Sequence, residues 1–216
     1  MIRLSRIMKE FPKKRIFTNL NIQFDNGNLY GIYGPSGCGK TTLLNMVSML
    51  DFDYDGKIEI DGTSVSEIKD REDFRNDHFS YIFSKPMLLD YLNVKENALL
   101  PLSIRKRPVP VAFERYLKYL GLEDLSEKRA DEISEGEKQR VSVLRALIME
   151  KENLIADEPV SHLDHENALR LIEKLKEIAH KENKVILLFC HDGSLVSLFD
   201  KAYEIEEEQL HEIHSA

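Results

Sequence analysis

The sequence predicts an α/β fold, in which a parallel sheet is covered by helices and a helical segment is inserted into the chain. Three observations support this prediction. Short apolar segments typical of strands alternate with helical patterns in the first and last thirds of the chain. The strand-like segment at residues 29–33 runs directly into a glycine-rich loop. The segment at residues 84–150 is mainly helical in pattern and interrupts the alternation.

Strand-like segments dominate the first third of the chain. The predicted elements are, in order, strands at residues 3–8, 21–24 and 29–33, a helix from residue 40 to about 50, and a strand at 57–60. The dipeptide Asp61-Gly62 follows the last of these strands, and it is a turn signal between strand-like runs.

The middle of the chain is helical, and alternation returns in the last third. Residues 111–120 place Phe113, Leu117 and Leu120 on one face of a helix. The last third contains a predicted strand at 153–156, a helix at 165–180 and a strand at 185–190, followed by short elements. Because no internal repeat or linker-like stretch divides the 216 residues, we expect a single domain.

The composition argues against some classes of function. The chain has 30 basic and 38 acidic residues, a formal net charge of −8, whereas a broad nucleic-acid-binding face needs a basic surface. Two cysteines do not make a disulfide framework. The first residues show no signal-peptide pattern, and the longest apolar run is far shorter than the about 20 residues of a membrane span. These features favour a cytosolic protein that binds no nucleic acid but can bind a membrane partner.

A phosphate-binding loop is predicted after the strand at residues 29–33. Residues 34–41, GPSGCGKT, fit the pattern G-x-x-x-x-G-K-[ST]. The glycines allow backbone N–H groups to turn inward around a phosphate, and the following helix directs the positive end of its dipole at the same anion. Lys40 is suited to reach the β- and γ-phosphates, and the Thr41 hydroxyl is suited to bind Mg²⁺. The predicted nucleotide contacts are Gly34, Ser36, Gly37, Cys38, Gly39, Lys40, Thr41 and Thr42. The alternative is a glycine-rich turn that binds nothing.

Two acidic residues follow the predicted strand at 153–156. In doubly wound sheets, ligands bind at the carboxyl ends of the strands, which is where Asp157 and Glu158 lie. Asp157 is suited to hold Mg²⁺ through water, and Glu158 is a candidate general base for an attacking water. The alternative is a pair of solvated acids that end a strand.

The segment at residues 133–140, ISEGEKQR, resembles the signature LSGGE-x-QR of the ATP-binding cassette (ABC) family, the motor subunits of ABC transporters. It lies between the phosphate loop and the acidic strand end, in the family's order, and the resemblance covers essentially the whole chain. The resemblance implies a phosphate-loop NTPase core of the RecA-like type with an antiparallel β element, formed by residues 1–83 and 151–216. It also implies an inserted α-helical subdomain at 84–150 that carries the signature.

The resemblance implies ATP hydrolysis with Mg²⁺ and assigns roles to further residues. Residues 161–164, SHLD, resemble the family's D-loop and place Asp164 among the nucleotide-binding residues. His191 stands at the position of the switch histidine, which contacts the γ-phosphate, and Phe11 at that of the aromatic that stacks on adenine. The implied catalytic residues are Glu158, His191 and Lys40. The alternatives are a surface histidine at position 191 and a core aromatic at position 11.

Two positions depart from the family pattern. Ser84 stands where the family has a glutamine that binds Mg²⁺, and Glu135 stands where the signature has its first glycine. Ser134 and Gly136, which by the family's geometry contact the γ-phosphate of a second cassette, are present. We therefore expect the site to work, with Ser84 as the third metal-binding position beside Thr41 and Asp157.

The family's mode of action implies the partners. Two cassettes act head to tail, and we expect a homodimer here, with a heterodimer as the alternative. The pair moves a membrane-spanning permease subunit from the cytoplasmic face of the cell membrane. Residues 88–102 are similar to the branch that drives lipoprotein release, macrolide efflux and the export of antimicrobial peptides or bacteriocins. The rivals are a low-turnover cassette that gates a membrane complex, and a non-transport cassette in DNA repair or translation.

Overall fold

The computed structural model describes residues 1–161, 163–191 and 193–213. This part of the chain contains ten β-strands and six α-helices. The strands are β1 (Ile2–Phe11), β2 (Lys14–Phe24), β3 (Asn28–Tyr33), β4 (Asp55–Ile60), β5 (Thr63–Ser64), β6 (Phe79–Ile82), β7 (Asn153–Asp157), β8 (Val185–Phe189), β9 (Lys201–Glu206) and β10 (Gln209–Ile213). The helices are α1 (Lys40–Val47), α2 (Arg71–His78), α3 (Val94–Ile104), α4 (Phe113–Tyr119), α5 (Glu135–Leu147) and α6 (His165–Glu182).

Four of the first five strands form an antiparallel sheet with the order β2-β1-β4-β5. β1 lies between β2 and β4, and Ile2 pairs with Phe24 on one side and with Ile60 on the other. Alternate side chains of β1 are buried, as expected for a sheet with one face on a core. The register shifts between Leu4 and Ile7, and the alternation shifts with it.

The second sheet has six strands in the order β10-β9-β3-β8-β7-β6. The strands from β9 to β6 are parallel, and β10 pairs antiparallel at the edge. All five residues of β8 are buried, which is typical of a parallel strand covered on both faces. The carboxyl ends of β3, β7 and β8 are therefore neighbours at one edge of the sheet.

Two hydrophobic clusters cover the two faces of the parallel sheet. One cluster joins the sheet to helices α3 to α6 and includes Val94, Leu117, Val143 and Leu175. The other joins it to α1 and the antiparallel sheet, and it contains many of the largest fully buried side chains. The phosphate loop lies at the edge where these layers meet.

Polar caps set where several helices begin. Asn93 and Ser134 begin α3 and α5 with reciprocal capping boxes, in which the third residue of each helix is a glutamate. Asp164 begins α6 by accepting the backbone N–H of Asn167 at 2.9 Å. Because these caps satisfy N–H groups that the first turn leaves free, they fix the start of each helix.

The predicted α/β fold class is confirmed, and the predicted elements occur with changed bounds. Phe113, Leu117 and Leu120 are buried together, as the pattern of residues 111–120 predicts. The strands predicted at 3–8 and 21–24 are parts of the longer β1 and β2, and the helix predicted to about residue 50 ends at Val47. Helices α3, α4 and α5 lie within residues 84–150, but the division of the chain into a core and a helical subdomain stays a prediction.

Within residues 1–161, 163–191 and 193–213, no helix is both long enough and apolar enough to cross a membrane.

Candidate functional site

The phosphate loop connects the carboxyl end of β3 to the first residue of α1. Gly34, Gly37 and Gly39 have φ angles of 146°, 75° and 124°, which side chains with a Cβ rarely adopt. Space is also limiting, because a Cβ at Gly34 would lie 2.6 Å from Cys38 Sγ and one at Gly39 would lie 2.5 Å from Ile16 Cγ2. The loop shape therefore requires glycine at two positions for two independent reasons.

Lys40 places its ammonium inside the loop. The side chain is buried, and Nζ donates to the carbonyl of Gly34 at 2.6 Å and to that of Pro35 at 3.3 Å. Nζ also lies 3.1 Å from Nδ1 of His191. A fixed, partly desolvated cation at this place is suited to bind phosphate oxygens.

The ends of β7 and β8 bring the acidic residues and the histidine together. Glu158 has a positive φ of 47°, and its N–H donates to the carbonyl of Phe189 at 2.9 Å, which fixes the chain as it leaves β7. Its Oε1 lies 2.5 Å from Nε2 of His191. Because His191 contacts Glu158 with one ring nitrogen and Lys40 with the other, the three predicted catalytic residues form a connected group.

The carboxyl of Asp157 is half-buried next to the carboxylate of Glu158. Burial raises its pKa above the ordinary value, and the negative charge of Glu158 raises it further. The positive charges of Lys40 and His191 act in the opposite direction but do not cancel the effect. A carboxylate whose charge is disfavoured by burial and by a neighbouring acid is suited to bind a cation.

A cavity of about 450 Å³ joins these groups, which is within the roughly 300–1,000 Å³ of small-molecule sites. Its lining brings together predicted residues from five separate parts of the chain. They are Phe11, Ser36, Gly37, Gly39, Lys40, Thr41, Thr42, Ser84, Asp157, Glu158 and His191. Gly34 and Cys38 belong to the same loop but are not part of the lining.

Other predicted residues lie elsewhere. Ser134 and Gly136 begin α5 and are not part of the cavity lining. The Ser134 hydroxyl donates to Glu137 Oε2 at 2.8 Å and accepts the Glu137 N–H at 3.3 Å, so it acts as a helix cap in this state. Asp164 caps α6 as an acceptor only, from the backbone N–H and the side-chain amide of Asn167. His162, in the segment that resembles the D-loop, lies outside the described residues.

Glu135, the departure within the signature, is exposed. Its Oε1 lies 2.7 Å from Nζ of Lys138, one turn along α5. The extra carboxylate at the start of this helix therefore has a cation beside it that offsets part of its charge.

Sequence reasoning missed contacts that hold the loop from the side. Lys14, the first residue of β2, donates through Nζ to the carbonyl of Gly37 at 2.6 Å. Ile16, in the same strand, lines the cavity. Nothing in the local pattern of either residue signals this role, because it depends on how the β1–β2 hairpin docks against the loop.

The signature helix also contacts the segment that contains Ser84. Gln139 is fully buried and donates to the carbonyl of Phe83 at 3.5 Å, while Arg145 donates to the carbonyls of Pro86 and Met87 at 2.5 and 2.9 Å. Burial lowers the pKa of Arg145. These contacts couple the position of α5 to that of the segment beside the cavity.

The donor set of the cavity fits a Mg²⁺–nucleoside triphosphate. The loop N–H groups and Lys40 are anion donors, whereas the Thr41 hydroxyl and the Asp157 carboxylate are the oxygen ligands that Mg²⁺ prefers. Phe11 also lines the cavity and is 47% exposed, so a base can stack on its ring.

Comparisons with known proteins identify the family and the fold of the chain. The chain matches the family described as ABC transporter over residues 17–161. It is 38% identical to the bacitracin export ATP-binding protein BceA of Halalkalibacterium halodurans, over 92% of this chain and 81% of that protein. It is 35% identical to the lipoprotein-releasing system ATP-binding protein LolD of Bacteroides fragilis, over 93% of this chain and 95% of that protein. The fold is similar, with a TM-score of 0.82 and 24% identity, to the dimeric post-hydrolysis structure of the ATP-binding cassette MJ0796 bound to ADP and Pi, and the match covers 100% of both chains.

Proposed function

This chain belongs to the ABC transporter family, and we propose that it is the ATP-hydrolysing motor subunit of an exporter of a peptide, lipoprotein or drug. The observation that carries the proposal is the single cavity in which the phosphate loop, Asp157, Glu158 and His191 meet. The names of the similar proteins, bacitracin export and lipoprotein release, support export as the direction of movement.

The chain's own residues divide the chemistry between them. The loop N–H groups and Lys40 bind the phosphates, and Phe11 stacks on the adenine. Glu158 accepts a proton from water as the water oxygen bonds to the γ-phosphorus, and the bond from that phosphorus to the bridging oxygen breaks to leave ADP. His191 orients Glu158 through their 2.5 Å contact. Thr41 and Asp157 would hold Mg²⁺, with Ser84 nearby, and the bound ion supplies charge that offsets the phosphates.

The positions of Ser134 and Gly136 support a head-to-tail dimer. These residues lie apart from the cavity lining of their own chain, although the family's chemistry needs them at the γ-phosphate. A second copy that turns its α5 toward the cavity supplies them, and two such contacts close a symmetric pair. ATP then holds two protomers together until it is hydrolysed.

A membrane-spanning permease is the proposed partner that converts this cycle into transport. The segment after β6 exposes large apolar side chains beside the cavity, and they suit the docking of a partner. They are Phe83, Met87, Leu89 and Tyr91, with exposed fractions of 52%, 68%, 36% and 69%. Side chains of α5 donate hydrogen bonds to the backbone carbonyls of this segment, so a partner that shifts the segment would also shift the signature helix. We place the protein on the cytoplasmic face of the cell membrane for this reason.

A low-turnover cassette that gates a membrane complex is a second candidate, because Ser84 lines the cavity in place of a longer metal ligand. The motor and the gating candidates are distinguished by measuring the release of phosphate from ATP by the purified chain, alone and with its co-purified permease. The motor proposal expects Mg²⁺-dependent turnover that the permease stimulates and that Glu158→Gln abolishes. ATP binding without turnover in the complete complex would contradict it and favour the gating candidate.

A further inference from the structure

β1 has a charged residue, Lys9, at a position where its alternating burial pattern predicts an apolar one. The core-facing side chains of the strand are those of Ile2, Leu4 and Ile7, and the next inward side chain is that of Lys9. The exposed fraction of Lys9 is 2%. A buried ammonium is costly unless it is paired and hydrogen-bonded, so this position needs an explanation other than core packing.

Two aspartates supply the pairing. Lys9 Nζ lies 3.0 Å from Oδ2 of Asp51 and 3.2 Å from Oδ2 of Asp53, and it also donates to the backbone carbonyl of Asp53. Burial alone would lower the pKa of Lys9, but the hydrogen bonds and charges of the two aspartates outweigh burial and raise it. Both aspartates follow α1, the helix that begins at the phosphate loop. Lys9 therefore ties the end of β1 to the loop after that helix.

The same ammonium lies over the ring of Phe11. The distance from Lys9 Nζ to the ring centroid is 4.9 Å, which is within the range of a cation–π contact. Phe11 remains 47% exposed and lines the nucleotide cavity. One cation thus contacts the aromatic ring at the cavity and, through the two aspartates, the phosphate-loop helix.

We propose that Lys9 is a positioning residue that holds Phe11 for stacking on a purine base and polarises its ring. The proposal rests on the proposed function, because it assumes that Phe11 stacks on the base of ATP. A cation beneath one face of a ring draws π-electron density toward itself, which makes the opposite face less negative. Stacking of an electron-rich purine on that face then meets less repulsion between the two π-systems.

This role has a consequence that a purely structural lysine would not have. Lys9 acts on the base and not on the phosphates, which Lys40 and the loop N–H groups bind. Its loss should weaken binding of ATP but leave binding of inorganic tripolyphosphate, which has no base, unchanged. In steady-state kinetics the KM for ATP should rise while kcat stays the same, because the base is held equally in the ground and transition states.

The experiment compares Lys9→Met with Lys13→Met in the full chain. Methionine fills similar space without charge, and the two aspartates keep access to water, since their side chains are 23% and 93% exposed. Lys13 lies in the turn of the same hairpin and is exposed, so its variant removes an equal charge from a neighbouring position. Because the chain contains no tryptophan, Phe11→Trp in each background gives a single fluorescent reporter of the ring. Titrations use Mg-ATP and Mg-tripolyphosphate, with thermal unfolding as the check on folding.

We expect Lys9→Met to weaken ATP binding about fivefold, which lies within the stabilisation of one stacked aromatic pair, with tripolyphosphate binding unchanged and Lys13→Met like the parent. Lys9→Arg should restore binding, since it keeps the charge. If Lys9→Met unfolds, Lys9→Gln, which can still donate hydrogen bonds to the aspartates but has no charge, should show a loss of the same kind. Equal ATP affinity in the Lys9 variants and the parent, or an equal loss for tripolyphosphate, overturns the proposal. A Phe11→Trp reporter that does not respond to ATP in the otherwise unchanged chain would instead contradict base stacking in the proposed function.

Discussion

Nε2 of His191 lies 2.5 Å from Oε1 of Glu158, so a side-chain contact joins the chain segments that follow β8 and β7. The other ring nitrogen lies 3.1 Å from Lys40 Nζ. His191 therefore stands between the proposed base and the phosphate-binding cation. The two strand ends that meet here are far apart in sequence, and the parallel pairing of β7 with β8 brings them together.

Glu158→Gln should leave ATP binding intact and lower hydrolysis by about 10²–10⁴-fold, because it removes a general base while keeping side-chain shape. With hydrolysis blocked, Mg-ATP should also hold protomers together. Calorimetry measures binding, phosphate release measures turnover, and light scattering measures assembly. Glu173→Gln, an exposed position in α6, is the control. A nucleotide-saturated variant that stays monomeric, alone and with the permease, would contradict the dimer.

The head-to-tail dimer predicts complementation between two inactive variants. Lys40→Ala removes the phosphate-binding cation, and Ser134→Ala removes the hydroxyl that the second protomer contributes. A mixed pair contains one site with both groups intact, so mixing equal amounts should restore about a quarter of parent turnover. Asn93→Ala is the control for Ser134→Ala, because it removes a matching helix cap from α3. No recovery in demonstrated mixed dimers would show that one chain supplies both groups.

The sequence predicted the cavity better than it predicted the sheets. Glycine spacing, a strand end and two acids are local patterns, and the lining of the cavity contains most of the residues they indicated. Helix α2 was not predicted because none of its residues is buried, so it has no apolar periodicity. The end of β1 is missed because Lys9 interrupts its apolar pattern. The start of β2 is missed because its first two residues, Lys14 and Arg15, are charged and exposed.

Contacts between distant segments could not be read from local patterns. Lys14 reaches Gly37 only because the β1–β2 hairpin docks against the phosphate loop. The capping of α6 by Asp164 is local and could have been predicted from its position before the helix. In the proposed dimer Ser134 acts on a second molecule, and a single chain shows only its role as the cap of α5.

Cys38 offers a test of where nucleotide binds. It is half-buried within the phosphate loop, and its sulfur lies beside Gly34. A bulky maleimide on this thiol should block ATP sterically, and bound Mg-ATP should slow the labelling. Cys190, which is 2% exposed, is the internal control because burial protects it with or without nucleotide. Equal labelling rates of Cys38 with and without Mg-ATP would place it away from the phosphates.

Asp157→Asn should raise the stability of the fold and abolish ATP hydrolysis. Burial and the charge of Glu158 raise the pKa of Asp157 in the folded protein, so the ionised carboxylate destabilises the fold at neutral pH. The amide should raise the melting temperature without nucleotide, while Mg²⁺-dependent hydrolysis is lost. As the pH falls toward the ordinary Asp pKa of about 3.9, the parent carboxyl becomes protonated and the difference in melting temperature should shrink. A difference that does not change with pH would show that charge is not its cause.

Ser84→Gln should raise slow basal hydrolysis with little change in ATP affinity. Ser84 lines the cavity, but its hydroxyl is two heavy-atom links shorter than a glutamine amide and does not reach as far toward a metal. Water can take the vacant coordination position, since Mg²⁺ commonly keeps several waters, so binding survives. The attacking water is positioned less accurately instead, and small misplacements can lower the rate on the order of 10²-fold. The measurement is steady-state turnover, with calorimetry for ATP affinity, of the variant and the parent. The control is Ser103→Gln, at an exposed serine in α3. If Ser84→Gln is no faster than the parent, the short side chain does not limit the reaction, and neighbouring residues compensate for it.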